Sequence, residues 1–441
     1  MRRSHHSYAI VAERSPMRST APKLSASRAG LAWLEQFETP PDIAAASALL
    51  DALLLLNDTD IADAIRDGID QVASRRGSGR RTVALYAERE FDGKVVYSSE
   101  LTPDANGVLR QRAEKYVGGP VKPTRGKSRV GSEGPVAYLI SQMVEKPLSQ
   151  LKNHPAPRNI RAKSSPVGAI AIVTDMIGSG DRITTMLDKF WNVPSVKSWV
   201  SARFIKFYVV AAAGTAQGIA AVQSHRLVSE VIVEHVVPTI GNWRNRTVAN
   251  EWMRIIDSCG PEQGRGGVDR AGYENGAALV ALAARMPNNT PAMLHQSGPV
   301  GDKKWFALYD GPIPDELRAV FRVLDPSEQV AASASNLGVS LAPKLAVEDA
   351  TLVLILSAPW SVRQQRNTVL LAEITGLPHS EVEVAVTHAL AQGLLDNRGR
   401  LTDAGQQFLG AGRRQEKRRP TIATEQEPYY PYQVRIPRGQ V

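Results

Sequence analysis

Between Ala169 and Thr185 the chain reads AIAIVTDMIGSGDRITT. An apolar run ends in Thr174 and Asp175, a turn follows at Gly178, Ser179 and Gly180, and Asp181 and Arg182 open an amphipathic stretch. A strand, glycine turn and helix in this order aim backbone N–H groups and the Ser179 hydroxyl at a helix N-terminus, a ready anion site. Asp175, at the strand's carboxyl end, faces the crevice where open α/β sheets bind ligands. Incidental glycines in a plain strand–turn–helix unit give the same spelling, so the flanking text has to be weighed.

That text alternates. VGAIAIVTDM, IKFYVVAAAG and VSEVIVEHVV read as buried strands, with DRITTMLDKFW and AQGIAAVQSHR as helices between them. Strand and helix in alternation imply a parallel sheet with crossover helices. RTVALYAERE and GKVVYSSEL add strands, and AYLISQMVEKPLSQL a helix. Upstream, residues 30–73 carry apolar residues at helical spacing, with Trp33, Leu34 and Phe37 on one face, as a hairpin or small bundle packing on the next domain. Residues 118–135 form a long loop rich in Gly, Pro and basic residues. Its Lys122, Arg125, Lys127 and Arg129 either close over a polyphosphate or stay solvated. Gly214, Thr215 and Gly218 open a helix, with packing as their expected role. Asn288, Asn289 and Thr290 either hydrogen-bond a nucleotide or cap a turn, and the turn is favoured. Trp243, Arg244, Arg246 and the stretch Gln263 to Arg265 could line a site but carry no ranking.

The Ala169–Thr185 segment resembles the phosphoribosyl-pyrophosphate (PRPP) motif of type I phosphoribosyltransferases, in which four apolar residues precede two acids and a Thr/Gly-rich turn. The resemblance implies that Asp175 contacts ribose hydroxyls and that Gly178, Ser179, Gly180, Asp181 and Arg182 hold a 5′-phosphate. It also implies Mg²⁺ on the diphosphate, with Asp175 as its protein ligand. Two departures stand out. Thr174 occupies the place of the family's first acid, which halves the paired-carboxylate contact. Asp181 in GSGD, where the family has TGGT, sets a negative charge beside the expected phosphate. ARMPNNTPAMLHQ followed by KKWFALYDGPIP, with WLEQF near the start, resembles a phosphoribosyltransferase-like group of bacterial conflict systems.

Toward the C-terminus, EDATLVLILSAP gives one helix and TVLLAEITGLPHSEVEVAVTHALAQGLL two more across a Gly-Leu-Pro turn. Val382, Val386 and Leu390 fall on one stripe. LLDNRGRLTDAGQQFL then reads as strand, tight turn, strand and closing helix, with Thr402 or Asp403 as N-cap. The whole resembles a winged helix-turn-helix. That implies a nucleic-acid face on the third helix (His379, Ser380, Glu381, Glu383, Thr387, His388) and phosphate contacts from the wing (Arg398, Arg400). The helix carries two glutamates and no Lys or Arg, so affinity would fall to the wing and to the RRQEKRR run at Arg413 to Arg419. A protein-interaction wing is the alternative.

The 441 residues carry a formal charge of +9, compatible with a nucleic-acid partner without requiring one. A lone Cys259 points to a reducing compartment, the cytoplasm, and no apolar run is long enough to span a membrane. The basic N-terminal stretch suits a disordered extension, an early start with Met17 as the true one, or a transit peptide.

The expected fold is α/β, a type I phosphoribosyltransferase-like parallel sheet with an N-terminal helical segment and a C-terminal winged helix-turn-helix. The expected parts are a basic extension (1–29), the helical segment (30–80), the phosphoribosyltransferase-like domain (81–324), a linker (325–345), the winged helix (346–412) and a basic, Tyr-rich tail (413–441). This combination, with Tyr429, Tyr430 and Tyr432, resembles effectors of retron-type antiphage systems. It implies a toxin held in an oligomeric complex with a reverse transcriptase and its RNA–DNA hybrid, acting on a ribosyl-containing nucleotide or metabolite. A transcription regulator sensing PRPP or a nucleotide through a non-catalytic site is the competing reading, and a salvage enzyme the third.

Overall fold

The computed structural model describes residues 23–75, 81–91, 93–118, 133–146, 150–261, 269–309, 311–364 and 367–413. Most of the N-terminal extension, the four cations of the 118–135 loop, Gln263 to Arg265, the RRQEKRR run after Arg413 and the Tyr-rich tail lie outside them.

In chain order, α1 (Arg28–Leu34) and α2 (Pro40–Asp51) lead to β1 (Leu54–Leu56) and α3 (Asp58–Arg75). β2 (Thr82–Ala87) precedes a hairpin of β3 (Tyr97–Pro103) and β4 (Leu109–Tyr116), then α4 (Glu133–Val144), β5 (Leu151–Asn153) and α5 (Pro157–Ile160). β6 (Val167–Ile177), α6 (Asp181–Trp191), α7 (Pro194–Ser201), β7 (Lys206–Thr215), α8 (Ala216–Gln223) and β8 (Val228–Val237) follow. α9 (Arg246–Cys259), β9 (Val280–Leu282), α10 (Ala292–His295), β10 (Gly298–Val300) and β11 (Lys303–Trp305) come next. The chain then turns helical: α11 (Pro326–Leu337), α12 (Val347–Ser357), α13 (Trp360–Gln364), α14 (Thr368–Thr375), α15 (His379–Ala391) and α16 (Asp403–Gly412). Among the described residues no helix is long and apolar enough to cross a membrane.

The sheet has the order β5-β2-β6-β7-β8, and every pairing in it is parallel. β6 is buried at every position except Met176, because helices cover both faces and leave no solvent side for polar alternation. α3 and α4 supply one layer, with Ile65, Ile69 and Ile140 against Val83, Leu85 and Val210. Ile183, Leu187 and Phe190 of α6 and Val196 of α7 pack on the other face, against Ile170, Ile172 and Val209.

A second core lies at the sheet's carboxyl end. Trp33 and Phe37 meet Trp305 edge to face at centroid distances of 5.6 and 5.3 Å, and Trp252 of α9 joins Leu49 and Leu50 of α2 in the same cluster. The N-terminal segment expected to pack as one unit is thus divided, with α1 and α2 in this second core and α3 on the sheet. Leu54–Leu56, expected to be helical, is a strand pairing in parallel with β9. Residues 326–337, expected to be linker, are a helix. Asp325 accepts from the Ser327 and Glu328 N–H groups while Glu328 reaches back, a complete capping box, and Val330, Ala334 and Leu337 are buried.

The winged helix docks on the sheet's outer strand. Ser380 Oγ donates to Glu234 Oε1 at 2.5 Å. Glu373, 5% exposed, accepts from Thr239 Oγ1 at 3.2 Å and from Asn242 Nδ2 at 3.1 Å. Arg244 donates to the Leu337 carbonyl at 3.1 Å. Burial pushes the carboxyls of Glu234, Glu373 and Glu381 above the ordinary 4.5, although hydrogen bonds to the first two pull the other way. The folded chain therefore holds protons on these groups that the unfolded chain has released. Their stabilising contribution is complete below the ordinary carboxyl range and is lost as pH rises through the raised values.

Thermal unfolding followed between about pH 5 and about pH 7 checks this. The wild type should lose more stability over that window than a Glu234→Gln/Glu373→Gln variant. Parallel curves for the two proteins would show that these carboxyls titrate alike in both states.

Candidate functional site

The carboxyl end of β6 delivers Thr174 and Asp175, 2% and 9% exposed, to the edge of the second core. Gly178, Ser179 and Gly180 then reverse the chain into α6, and Gly180 takes φ 92°, a left-handed conformation that suits glycine. The turn is braced from α8. Thr215 Oγ1 donates to the Gly178 carbonyl at 2.7 Å and caps its own helix by accepting from the Gly218 N–H at 3.0 Å. A Cβ on Gly218 would lie 2.0 Å from the Gly178 oxygen, so only glycine permits this approach. Packing, the expected role of Gly214, Thr215 and Gly218, is what they do here, and the object they pack on is the turn.

The site holds a second carboxylate that the local sequence does not show. Glu88 follows β2 and extends its pairing with β6 through its N–H, which donates to the Val173 carbonyl at 2.8 Å. The Thr174 hydroxyl lies 3.3 Å from Glu88 Oε2 and 3.4 Å from Asp175 Oδ1, between the two acids. The acid missing at position 174 thus has a counterpart from the neighbouring strand. Each carboxylate meets a guanidinium: Arg182 Nε is 2.9 Å from Glu88 Oε1, and Arg285 Nη2 donates to Asp175 Oδ2 at 3.0 Å. Arg182 also lies 3.7 Å from Glu90.

Asp181 does not project freely at the turn. Its Oδ2 accepts from Ser179 Oγ at 2.9 Å and from Tyr273 Oη at 3.3 Å, and the carboxylate in turn raises the Tyr273 phenol's pKa. Tyr273 belongs to a segment that overhangs the turn. Glu274, Asn275 and Ala277 all have positive φ, between 42° and 53°. Backbone held this way costs about 1–3 kcal/mol per residue and gathers at functional sites. Asn289 fills the space over Gly178, where an added Cβ would meet its Oδ1 at 1.9 Å. Thr290 Oγ1 donates to the Pro287 carbonyl at 2.6 Å, a turn cap, while Asn288 is exposed.

Thr174, Asp175, Gly178, Ser179, Gly180, Asp181 and Arg182 therefore share one locus. Glu88, Arg285 and Tyr273 come to it from distant parts of the chain. Among the described residues no three His, Cys, Asp or Glu side chains gather as a metal cage.

Of the nucleic-acid residues expected in the winged helix, the two at the start of α15 are already engaged within the fold. His379 pairs with Thr368 Oγ1 at 2.8 Å and Ser380 with Glu234, so the N-terminal end of α15 is spent on packing. Thr387 and His388 are exposed about two turns further on. The expected wing hairpin is reduced to one bridge between Leu395 and Leu401, with the tight turn tied by the Arg398 and Arg400 N–H groups donating to Asp396 Oδ1 at 2.8 Å each. Buried Arg363 holds the structure from beneath through the Ala358 carbonyl. Thr402 is the N-cap of α16, accepting from the Gly405 N–H.

Gly218→Ala should displace the Gly178 carbonyl and cost about 1–3 kcal/mol, as overpacking does. Its signature is a lowered denaturation midpoint together with altered amide signals at Gly178–Asp181. A variant as stable as the wild type with those signals unmoved would show that α8 does not brace the turn.

Comparison with known proteins places this architecture. The family model PRTase-CE matches residues 31–310, and the model wHTH-PRTase associated matches residues 355–435. No curated protein and no solved structure matches the chain. With more than half of its length covered by the first model, the chain belongs to the PRTase-CE family and carries that family's associated winged helix-turn-helix domain after it.

Proposed function

We propose that this chain is an antiphage effector of the retron type, with an α/β domain that attacks a ribosyl-containing nucleotide or metabolite. The observation that supports this most is the carboxylate pair of Glu88 and Asp175 beside the Gly178–Gly180 turn. In this reading the two acids hold ribose hydroxyls and support positive charge developing at the anomeric carbon. The turn's N–H groups and Arg182 take the 5′-phosphate. The bond from C1 to its leaving group breaks with the electron pair going to the departing base or diphosphate. Water or an amine bonds to C1 and passes its proton to the departing base or diphosphate. Positioning and electrostatic support do the work, and no redox partner is needed.

Mg²⁺ suits this donor set only as a companion of the ligand. Two carboxylates already facing guanidinium groups leave most of an octahedral oxygen shell to phosphate and water, which is how Mg²⁺ is commonly held. Asp175 and Glu88 would supply the protein oxygens, and the ion would neutralise a departing diphosphate. The winged helix would keep the effector in a complex with reverse transcriptase and RNA–DNA.

A second reading rests on a different observation. Asp175 is paired with Arg285, and Asp181 is hydrogen-bonded to Tyr273, so the locus is closed by its own side chains. A regulator that senses PRPP or a nucleotide would use these contacts as the ligand-free state, and the ligand would exchange them without chemistry.

Growth of a bacterial host expressing the chain alone, with nucleotide pools profiled, separates the readings. The effector reading expects toxicity and depletion of a ribosyl compound, both abolished by Asp175→Ala and weakened by Glu88→Gln. Normal growth and unchanged pools, with PRPP binding by the purified wild type that is lost in Asp175→Ala, would establish the sensor instead.

A further inference from the structure

A cavity of about 2110 Å³ runs along the β5 edge of the sheet, where among the described residues β5 pairs with β2 alone. None of the residues at the Gly178 turn lines it. Strand β4 forms one wall, and α4, α5 and α7 the other. Its volume exceeds the roughly 300–1,000 Å³ of small-molecule sites, which argues for an extended occupant.

The lining is basic. Arg110, Arg112, Lys115, Arg158 and Arg161 line it together with Glu114, the one carboxylate among the described lining residues. Arg110 is engaged by Asp104 at 2.7 Å, and Lys115 lies 3.8 Å from Glu114. Arg112 and Arg158 are exposed. Arg112 stands opposite Glu100 across the β3–β4 hairpin and, behind Arg110, helps hold the Asp104 carboxyl below its ordinary pKa, yet neither Arg112 nor Arg158 forms a direct ion pair among the described residues. His154, lowered to about 4 by burial, adds no charge at neutral pH.

Aromatic faces are interleaved with these cations. Tyr138 is 67% and Phe204 45% exposed, and the Arg161 guanidinium lies 4.6 Å from the Phe204 ring centroid. A polyanion alone would need only the charge. Exposed rings beside a backbone-tracking row of cations are what unpaired bases require, since every base can stack. A duplex keeps its bases stacked inside and has no use for the rings.

We propose that this edge groove binds a single strand of nucleic acid, with phosphates on Arg112 and Arg158 and bases stacked on Tyr138 and Phe204. The site is independent of the ribose-site reading and distinct from the wing.

The test is fluorescence anisotropy of the full-length chain with a labelled oligothymidylate of about 20 nucleotides and with a duplex of equal length, at about 50 and about 200 mM salt. Saturable binding of the single strand, tighter than the duplex and weakened by salt, is expected. Arg112→Glu/Arg158→Glu should weaken it at least about tenfold and reduce the salt slope by about 1.4, two phosphate contacts at about 0.7 each. Tyr138→Ala/Phe204→Ala should weaken it with the salt slope kept. Arg398→Glu/Arg400→Glu should stay within about twofold of the wild type. All four groove positions are exposed, so circular dichroism should report an intact fold in each variant. No saturable binding by the wild type at the lower salt, tighter binding of the duplex, or loss confined to the wing variant would each overturn the proposal.

Discussion

The Gly178 carbonyl oxygen is gripped by the Thr215 hydroxyl at 2.7 Å while the bare Cα of Gly218 faces it from the start of α8. Everything at the candidate site depends on that approach. It fixes where β6 stops, which sets Thr174 and Asp175 at the sheet's carboxyl end, and it aims the first turn of α6. The overhanging segment then closes against the same turn, since Asn289 occupies the volume that a side chain on Gly178 would need. Three close approaches at two glycines define a rigid anion-sized corner. Rigidity here has a physical use, because N–H donors held in place need no reorganisation when charge arrives.

Charge at this corner is paired only in part, with more carboxylates than guanidinium groups. Glu88 with Arg182 and Asp175 with Arg285 form two opposed pairs, and Asp181 is satisfied by two hydroxyls. An incoming phosphate would meet cations already engaged, so its binding has to replace those pairings. A magnesium-bearing ligand offsets the exchange, because the cation can take the carboxylates while the phosphates take the guanidinium groups. Thr174 fits this scheme better than an acid would. A third carboxylate between Glu88 and Asp175 would crowd like charges in a buried position, whereas a hydroxyl can donate to either.

Local signals in the sequence were enough for β2, β6, β7 and β8, for the turn and for the helices of the winged helix, while β5 went unread because its Leu151 was counted into the helical text of α4. β6, α6, α8 and β8 are spelled by apolar runs and glycine punctuation that survive without knowledge of neighbours. What stayed hidden was whatever depends on strand order. Glu88 is an unremarkable acid after a strand until β2 is placed beside β6, and Arg285 and Tyr273 reach the site only through the second core. Leu54–Leu56 sits in a leucine-rich helical text, and a partner in β9 makes it a strand. α11 was obscured by its Ala and Ser content, although Asp325, Pro326 and Glu328 spell a helix start. α9 went unread despite a regular apolar stripe through Ala249, Trp252, Ile255 and Ile256.

The docking of the winged helix constrains how that domain can meet a partner. His379 and Ser380 sit where a third helix would enter a groove, yet Ser380 is bonded to Glu234 and Glu373 anchors the preceding helix to Thr239 and Asn242. A ligand that needs the N-terminal end of α15 must first break those bonds, so its apparent affinity is reduced by the fraction of molecules undocked. By linkage, such a ligand would also loosen the contact with β8, the strand next to β7, whose last residue is Thr215. Thr215 holds the Gly178 carbonyl, so a partner at the winged helix and a ligand at the turn act on adjoining strands of one sheet. A partner that binds the docked form, through Thr387, His388 and the wing, meets no such penalty and would hold the turn as it stands.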